Sequence, residues 1–448
     1  MIFRTYVLCI FTMVFCVNDP APLFELFRRA EGLNPSELSM LYAVYAAVVI
    51  VALPFFGRAS DRLGRRSLVV LGLNFIAIGS LVLAIAGSFL WLVGGRLLQG
   101  LGIAAMSAPA TAALAELAGA RRQAATASIM ALALAVGGAS APLFSGVTAE
   151  AFPMFPTSSL LFCAGMALTS LIAVALLPDP WRLQQLGNKP SHVHRATCVA
   201  ADTELLGAAN ATEGLFFVGR DSGRIAFWQA CAAVVACFGA QATFFTISGP
   251  IFGTLLASHV LLTAGCAMSA LMVASALGAI LASRLGARMA IACGMALVAP
   301  GVCGFFELAG IVPLLALTPA IAAIGLGHGL GYAGAIRLIN ETANGARRAS
   351  YTSKFYVAIY IGGGLPVVGR GVLEESTGGA VASAVFSLVI TVLAIGVLTS
   401  LRLTAEELLS ARRTRKATQL GFLLSRIFGS VATSHPDSRK PSDLGDVH

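Results

Sequence analysis

Apolar residues in this chain gather into long continuous runs separated by short polar breaks. Twelve runs are long enough to cross a bilayer: 5–27, 36–56, 67–87, 89–113, 124–149 and 157–177, then 225–248, 258–281, 289–308, 312–338, 351–372 and 379–401. About 20 residues at 1.5 Å rise span the hydrocarbon core as a helix. The runs are apolar on every face and far longer than the ~11 residues of a tilted barrel strand, so the pattern predicts helices. The predicted class is an all-α membrane protein with twelve transmembrane helices.

Composition agrees. Of 448 residues, 57% are hydrophobic and 11% charged, against roughly 25% charged in a soluble domain. The net charge of +9 is dispersed among short loops and one tail. Such charge reads as a set of topology determinants facing an anionic leaflet and not as a nucleic-acid surface. The nine cysteines show no metal-ligand spacing, and Cys9, Cys16, Cys231, Cys237 and Cys293 lie inside apolar runs as small packing residues. No catalytic triad, phosphate-binding lysine loop or metal constellation stands out, so no enzyme, cofactor or metal is expected. The first run lacks a small-residue cleavage site and contains Asn18-Asp19-Pro20, which marks it as a retained helix.

Arginine asymmetry orients the runs. Arg58, Arg62, Arg65, Arg66, Arg121, Arg122, Arg284, Arg288, Arg347 and Arg348 fall on one side, with the basic residues of the central gap and tail. The other side holds Arg28, Arg29 and Arg370. Both termini are therefore expected in the cytoplasm, which an even number of spans requires. The polar gap between the sixth and seventh runs reads as a cytoplasmic linker, so its sequon Asn210-Ala211-Thr212 is not expected to be glycosylated. The resulting domains are a six-helix half over 1–177, a linker over 178–224, a second half over 225–401 and a basic tail over 402–448.

The halves repeat one another. Arg62-Leu63-Gly64 recurs as Arg284-Leu285-Gly286, Gly100-Leu101-Gly102 as Gly325-Leu326-Gly327, and Gly119-Ala120-Arg121-Arg122 as Gly345-Ala346-Arg347-Arg348, at offsets of 222 to 226 residues. Three matches in order at a near-constant offset indicate a parallel duplication of a six-helix unit. Ser283 stands where the first copy has Asp61.

The segment Gly57-Arg58-Ala59-Ser60-Asp61-Arg62-Leu63-Gly64-Arg65-Arg66 reads as a charged, glycine-containing loop between the second and third runs. With Gly57, Asp61-Arg62, Gly64 and Arg65-Arg66 in that position, it closely resembles the signature loop of the major facilitator superfamily. Gly95-Arg96-Leu97-Leu98-Gln99-Gly100 resembles that family's fourth-helix motif, in which the arginine influences proton transfer. The stretch from Gly137 to Gly146 resembles the fifth-helix motif of its exporters. Gly137, Gly138, Pro142 and Gly146 fit that motif, while Ala141 and Ser145 stand where glycine is usual. The segment 19–45 resembles the first two helices of the superfamily's bacterial drug and metabolite exporters. The resemblance implies two pseudo-symmetric six-helix halves that rock about a midplane cavity, with Asp61 bracing them on the cytoplasmic side.

Individual residues carry the remaining expectations. Asp19, with Asn18 before it and Pro20 and Pro22 after it, is either a proton-exchanging carboxylate in a polar cavity or an outer-surface residue beyond an early helix end. Gln241 stands at the pseudo-equivalent place, 222 residues on, and is expected to face Asp19 across the interface. Arg96 is either a functional intramembrane charge or an arginine reaching back to the headgroups. Gln99 follows it in the motif. His328 is a substrate contact, a proton site or a packing residue. Arg370 and Glu374 have ion-pair spacing. Phe244 and Phe245 line an apolar pocket or face lipid. Ala411 to Phe428 is expected to form a helix on the inner leaflet.

The function expected is secondary active transport, namely proton-coupled efflux of a small organic or amphipathic solute by a monomer in the bacterial inner membrane. Substrate, protons and lipid are its partners. Alternatives are a proton symporter or facilitator for uptake, or a non-transporting membrane sensor on the same scaffold.

Overall fold

The computed structural model describes residues 1–118, 123–178, 220–256, 258–309, 311, 313–342 and 345–404. Linker residues 179–219 with the Asn210 sequon, Arg121-Arg122 and the tail from 405 with its basic-amphipathic stretch lie outside the described residues. So do the side chains of Arg58, Asp61, Arg347 and Arg348.

Twelve helical spans are present among the described residues, as the pattern predicts. The first is built from two pieces, α1 (Ile2–Asn18) and α2 (Pro20–Glu31). Then come α3 (Pro35–Leu63), α4 (Arg65–Ala84), α5 (Phe89–Ala118), α6 (Gln123–Ala151), α7 (Ser158–Leu176), α8 (Arg220–Leu255), α9 (Val260–Ala282) and α10 (Ala287–Leu308). A 3₁₀ turn at Leu314–Leu317 leads into α11 (Thr318–Thr342), followed by α12 (Gly345–Thr377) and α13 (Gly379–Thr404). Met1–Leu398 forms one compact unit. A second, Thr399–His448, is described only at 399–404, the end of α13.

Short connections reverse the chain at each end. Asn34 starts α3 with a reciprocal cap: its Oδ1 accepts the Glu37 N–H at 2.8 Å, and the Glu37 carboxylate accepts the Asn34 N–H at 3.0 Å. Gly64 alone separates α3 from α4, at φ +85°, a conformation that glycine adopts without a Cβ penalty. The charged segment before it is therefore not a loop, as the sequence suggested, but the last turns of α3. Arginine and alanine are good helix formers, and the headgroup region tolerates their charge, so the helix outruns the apolar stretch.

The duplication is visible in the packing. A Cβ on Gly102 of α5 would lie 2.7 Å from the Gly72 carbonyl of α4, and one on Gly327 of α11 would lie 2.8 Å from the Gly294 carbonyl of α10. Gly79 meets the Gly95 carbonyl at 2.9 Å as Gly301 meets that of Ala320 at 3.1 Å. Each contact recurs at the sequence offset. Backbones approach this closely in lipid because van der Waals packing of small residues, and not the hydrophobic effect, holds helices together there.

Large apolar side chains such as Val51, Phe55, Leu90, Leu168, Leu388 and Val392 are exposed, forming the lipid-facing surface. Phe244 and Phe245 are not among them. Both are buried, Phe244 with its ring centroid 4.7 Å from Phe305 and Phe245 at 6.3 Å from Tyr42.

The first and second sets of six spans meet along α6 with α9, α3 with α12, and α2 with α8. The named contacts across this seam run from its middle, where Gly138 lies against Met272, to the end that carries Asn34 and Glu150. There Glu150 pairs with His259, and the Ser36 N–H donates to Glu375 at 3.2 Å.

Candidate functional site

The site grows from two prolines. Pro20 has no N–H for the Cys16 carbonyl one turn back, and Pro22 has none for Asn18. Asp19 between them keeps helical dihedrals, φ −55° and ψ −42°, so the hydrogen-bond ladder is interrupted while the chain continues. α2 then runs to Glu31 with Leu23, Phe24 and Phe27 buried. Asp19 thus lies ~18 Å along the axis from that end. The surface reading of Asp19, with 23–27 as an interfacial turn, does not hold.

Gln99 of α5 supplies the donor that Pro20 withholds, and Arg96 ties the adjoining turn to α3. The Gln99 amide donates to the Cys16 carbonyl at 3.1 Å and to the Ser80 hydroxyl at 3.3 Å. Arg96 donates to the Val17 carbonyl at 3.1 Å, to the Leu41 carbonyl of α3 at 3.2 Å and to Gln99 Oε1 at 2.7 Å. Its guanidinium carbon lies 4.6 Å from the centre of the Tyr45 ring and 5.5 Å from that of Phe24. Arg96 is 2% exposed and is a structural cross-brace of α1, α3 and α5. It does not reach for the headgroups.

Asp19 is fully buried. Its Oδ2 accepts the Ser159 hydroxyl of α7 at 2.8 Å, with Cys163 beside it, while Oδ1 has no partner. Among the described residues no ion pair joins it to Arg96. Among the described residues no hydrogen bond joins Asp19 to Gln241, which were expected to face one another across the seam. The break turns Asp19 toward α7, and unbroken α8 holds the Gln241 amide 3.6 Å from Met272 Sδ. Asn18 donates back to the Val14 carbonyl at 2.8 Å and stays within its own helix. His328 lies apart from Asp19, in α11. Its Nδ1 is 2.8 Å from the Ser275 hydroxyl of α9, its ring packs on Phe238 and Tyr332, and Nε2 has no partner.

At the other end of α3, Arg65 pairs with Glu116 of α5, and Arg66 donates to the Ala175 carbonyl in the last turn of α7 at 2.5 Å, a favourable place for a cation. Gly57 and Arg62 are exposed. In α6, a Cβ on Gly137 would lie 3.1 Å from the Phe11 carbonyl, and one on Gly146 2.6 Å from that of Leu261. Gly265 of α9 closes on the Pro142 carbonyl from the other side. The fifth-helix glycines therefore serve close packing against α1 and α9. Arg370 pairs with Glu374 at 2.6 Å, as their spacing predicted.

Two residues escaped the sequence reading. Glu25 is 1% exposed and clamped by Arg28 at 2.7 Å and Arg29 at 2.6 Å. It lies against Gly249 and Gly253 of α8. The signal was present in the spacing of one acid with bases three and four residues on. Ser159 carried no signal, because only the fold brings it to Asp19.

Comparison with known proteins agrees with this architecture. The sequence profile of the Major Facilitator Superfamily matches residues 6–367. A triacylglyceride transporter of Mycolicibacterium smegmatis is 45% identical over 71 residues, 16% of this chain and 12% of that one. The quinolone resistance protein NorA of Staphylococcus aureus is 22% identical over 172 residues, 38% of this chain and 44% of that one. The matched segments thus span less than half of either relative. Among solved structures, a POT family transporter in complex with 5-aminolevulinic acid aligns with a TM-score of 0.67 at 14% identity, over 89% of this chain and 95% of that one. A bacterial homologue of the human lysosomal transporter Spinster aligns with a TM-score of 0.64 at 15% identity, over 92% and 96%. Likeness at such identities is one of fold. The profile spans most of the chain, and on that ground the chain belongs to the major facilitator superfamily.

Proposed function

We propose that this protein exports a small organic or amphipathic solute against a proton gradient by alternating access. The observation that carries the reading is the buried Asp19 carboxylate, deep in the first span with one oxygen unpartnered. A carboxylate at such depth costs a few kcal/mol by insertion scales, and its usual role is in a proton or ion path. The Arg96–Gln99 brace holds the proline break open beside it. Export is supported by the α6 glycines around Pro142 and by the sequence similarity to a quinolone resistance protein. An amphipathic cargo is supported by the similarity to a triacylglyceride transporter.

In this reading the protein is a monomer in the bacterial inner membrane with both termini cytoplasmic. Residues 1–177 and 225–401 move as two bodies joined by the linker 178–224. The seam contacts at the Asn34 and Glu150 end close the outer side, and Glu25 on α8 and Glu150 on His259 part when that side opens. The cytoplasmic end of α3, with Asp61, then becomes the brace.

The test is accumulation of a panel of labelled solutes by proteoliposomes under an imposed proton gradient, with and without a protonophore. Gradient-dependent accumulation of at least one solute supports the reading. Counterflow that ignores the protonophore assigns facilitated diffusion, and absence of counterflow for every solute assigns a sensor.

A further inference from the structure

Asp19 is the first member of a buried chain of hydroxyls. Ser159 of α7 donates to its Oδ2 at 2.8 Å, and the Ser159 oxygen lies 3.4 Å from the Ser145 hydroxyl of α6. All three side chains are 0% exposed. Ser145 precedes Gly146, whose missing Cβ lets the backbone of α9 approach at Leu261. Three residues before Ser145, Pro142 removes a backbone donor from α6, and its carbonyl takes the approach of Gly265. The hydroxyl chain therefore ends on α6, one residue from Gly146 and three from Pro142, the residues that meet α9.

A hydroxyl has a single proton to donate. While Asp19 is a carboxylate, the Ser159 proton is committed to it, and Ser159 can only accept from Ser145. Once Asp19 carries a proton it can donate to Ser159. The Ser159 proton then turns to Ser145, whose own proton swings to a carbonyl of α6, as Ser140 and Thr148 already arrange theirs. No bond to carbon is made or broken, and the direction of each hydrogen bond reverses. At 3.4 Å the Ser145 contact sits at the limit of a hydrogen bond, so a small displacement of α6 makes or breaks it.

We propose that Ser159 and Ser145 form a two-hydroxyl relay that transmits the protonation state of Asp19 to the α6–α9 seam, with Ser159 as the positioning residue. The proposal rests on the reading of Asp19 as a proton site. Few other titratable groups compete there. Cys163 of α7 and Cys16 of α1 are the thiols beside it. Arg96 of α5 is engaged by the Val17 and Leu41 carbonyls, Tyr42 and Tyr45 of α3 lie on the Arg96 side, and Glu25 is clamped by Arg28 and Arg29 further along α2. From α6, Ser145 is the hydroxyl in the chain, and Glu150 is engaged by His259. Gln241 of α8 is turned to Met272 of α9.

The test needs no substrate. Infrared difference spectra of the full chain in lipid nanodiscs, titrated between about pH 5 and pH 9, follow the carboxylic acid band that Asp19→Asn removes. Ser159→Ala is expected to move its midpoint up by about one pH unit, the equivalent of one hydrogen bond to a charged group. It should also raise the C=O stretching frequency, while Ser159→Thr restores both. Where Ser159→Ala lowers yield, Ser159→Cys gives the same direction with a smaller shift. Hydrogen exchange by mass spectrometry on either side of that midpoint is expected to change at 142–151 and 260–265 in the wild type. That change is expected to be lost in Ser159→Ala and Ser145→Ala. An Asp19 band that titrates, with midpoint and frequency untouched by Ser159→Ala, overturns the relay alone. So does seam protection, corrected for the intrinsic pH dependence of amide exchange, that still changes across the midpoint in Ser159→Ala. A wild type with no titrating band overturns the proton-site reading itself.

Discussion

The two sets of six spans share their packing and differ in their charge. Gly102 on α4 and Gly327 on α10 are the same contact made twice. Yet Asp19 corresponds to Gln241, Arg96 to Ile321 and Gln99 to Ile324, at offsets of 222 and 225. The first set carries a carboxylate, a guanidinium and a proline break joined by hydrogen bonds. The second carries an unbroken α8 and a neutral cluster of His328, Ser275, Phe238 and Tyr332. Buried ionisable groups in a bilayer are costly; the first set places its own beside a helix break, whereas the buried Arg370 of the second is paired with Glu374 near the end of α12. Under the proposed function this is a division of labour, in which the first set handles protons and the second offers a neutral, aromatic surface to the solute.

The largest expected effect comes from removing the guanidinium whose equivalent in the second set is Ile321. Arg96→Met leaves the Leu41 and Val17 carbonyls and the Gln99 oxygen without their donor. At ~1–3 kcal/mol for each of these three buried groups, we expect a loss of ~3–9 kcal/mol in unfolding stability together with loss of transport. Ile321→Met, the equivalent change, conserves volume and is expected to cost less than ~1.5 kcal/mol. Denaturant unfolding of both purified variants checks the contrast, and equal losses would break it.

Packing is predicted to be symmetric where charge is not. Gly102→Val and Gly327→Val both drive a side chain into a carbonyl oxygen, and each is expected to cost ~1–3 kcal/mol by overpacking. Thermal unfolding of the pair should agree to within ~0.5 kcal/mol. A clearly larger loss in one would mean that the shared glycine contacts bear unequal load.

The end of α3 sharpens the comparison further. Asp61→Asn is expected to reduce transport by about tenfold, the rate equivalent of ~1.4 kcal/mol, at unchanged membrane abundance. Ser283→Ala, at the duplicate position, should leave transport unchanged. Quantified uptake normalised to protein level decides between them.

The smallest effect is expected at His328. His328→Gln keeps a partner for Ser275 and should weaken solute affinity by less than about tenfold without altering the number of protons moved. A changed proton count in a stoichiometry measurement would place a proton site in the second set and end the division of labour.

How much of this was written in the sequence varies with the physics involved. The spans were legible because lipid imposes a length and a polarity on every crossing segment. The duplication was legible because close backbone approach demands glycine at fixed positions. The brace was legible only in part. Arg96 and Gln99 stood out as polar residues in an apolar run, but the acceptor of Gln99 is the Cys16 carbonyl freed by Pro20 and those of Arg96 are the Val17 and Leu41 carbonyls, and a sequence does not say which helix lies beside that break. The same gap misdirected Asp19, which was expected opposite Gln241 and lies against Ser159. A rotation of one helix decides that choice, and apolar runs with little amphipathic asymmetry do not encode rotation. Glu25 shows the reverse case, since its spacing to Arg28 and Arg29 was readable but its placement against Gly249 was not.

The central claim is that proton handling resides in the first set of spans, at Asp19. The most direct measurement is proton release into lightly buffered detergent solution when a solute identified by the transport panel is added, for wild type, Asp19→Asn and Gln241→Asn. The account predicts release from the wild type and from Gln241→Asn, and none from Asp19→Asn. Release from Asp19→Asn equal to that of the wild type would contradict it.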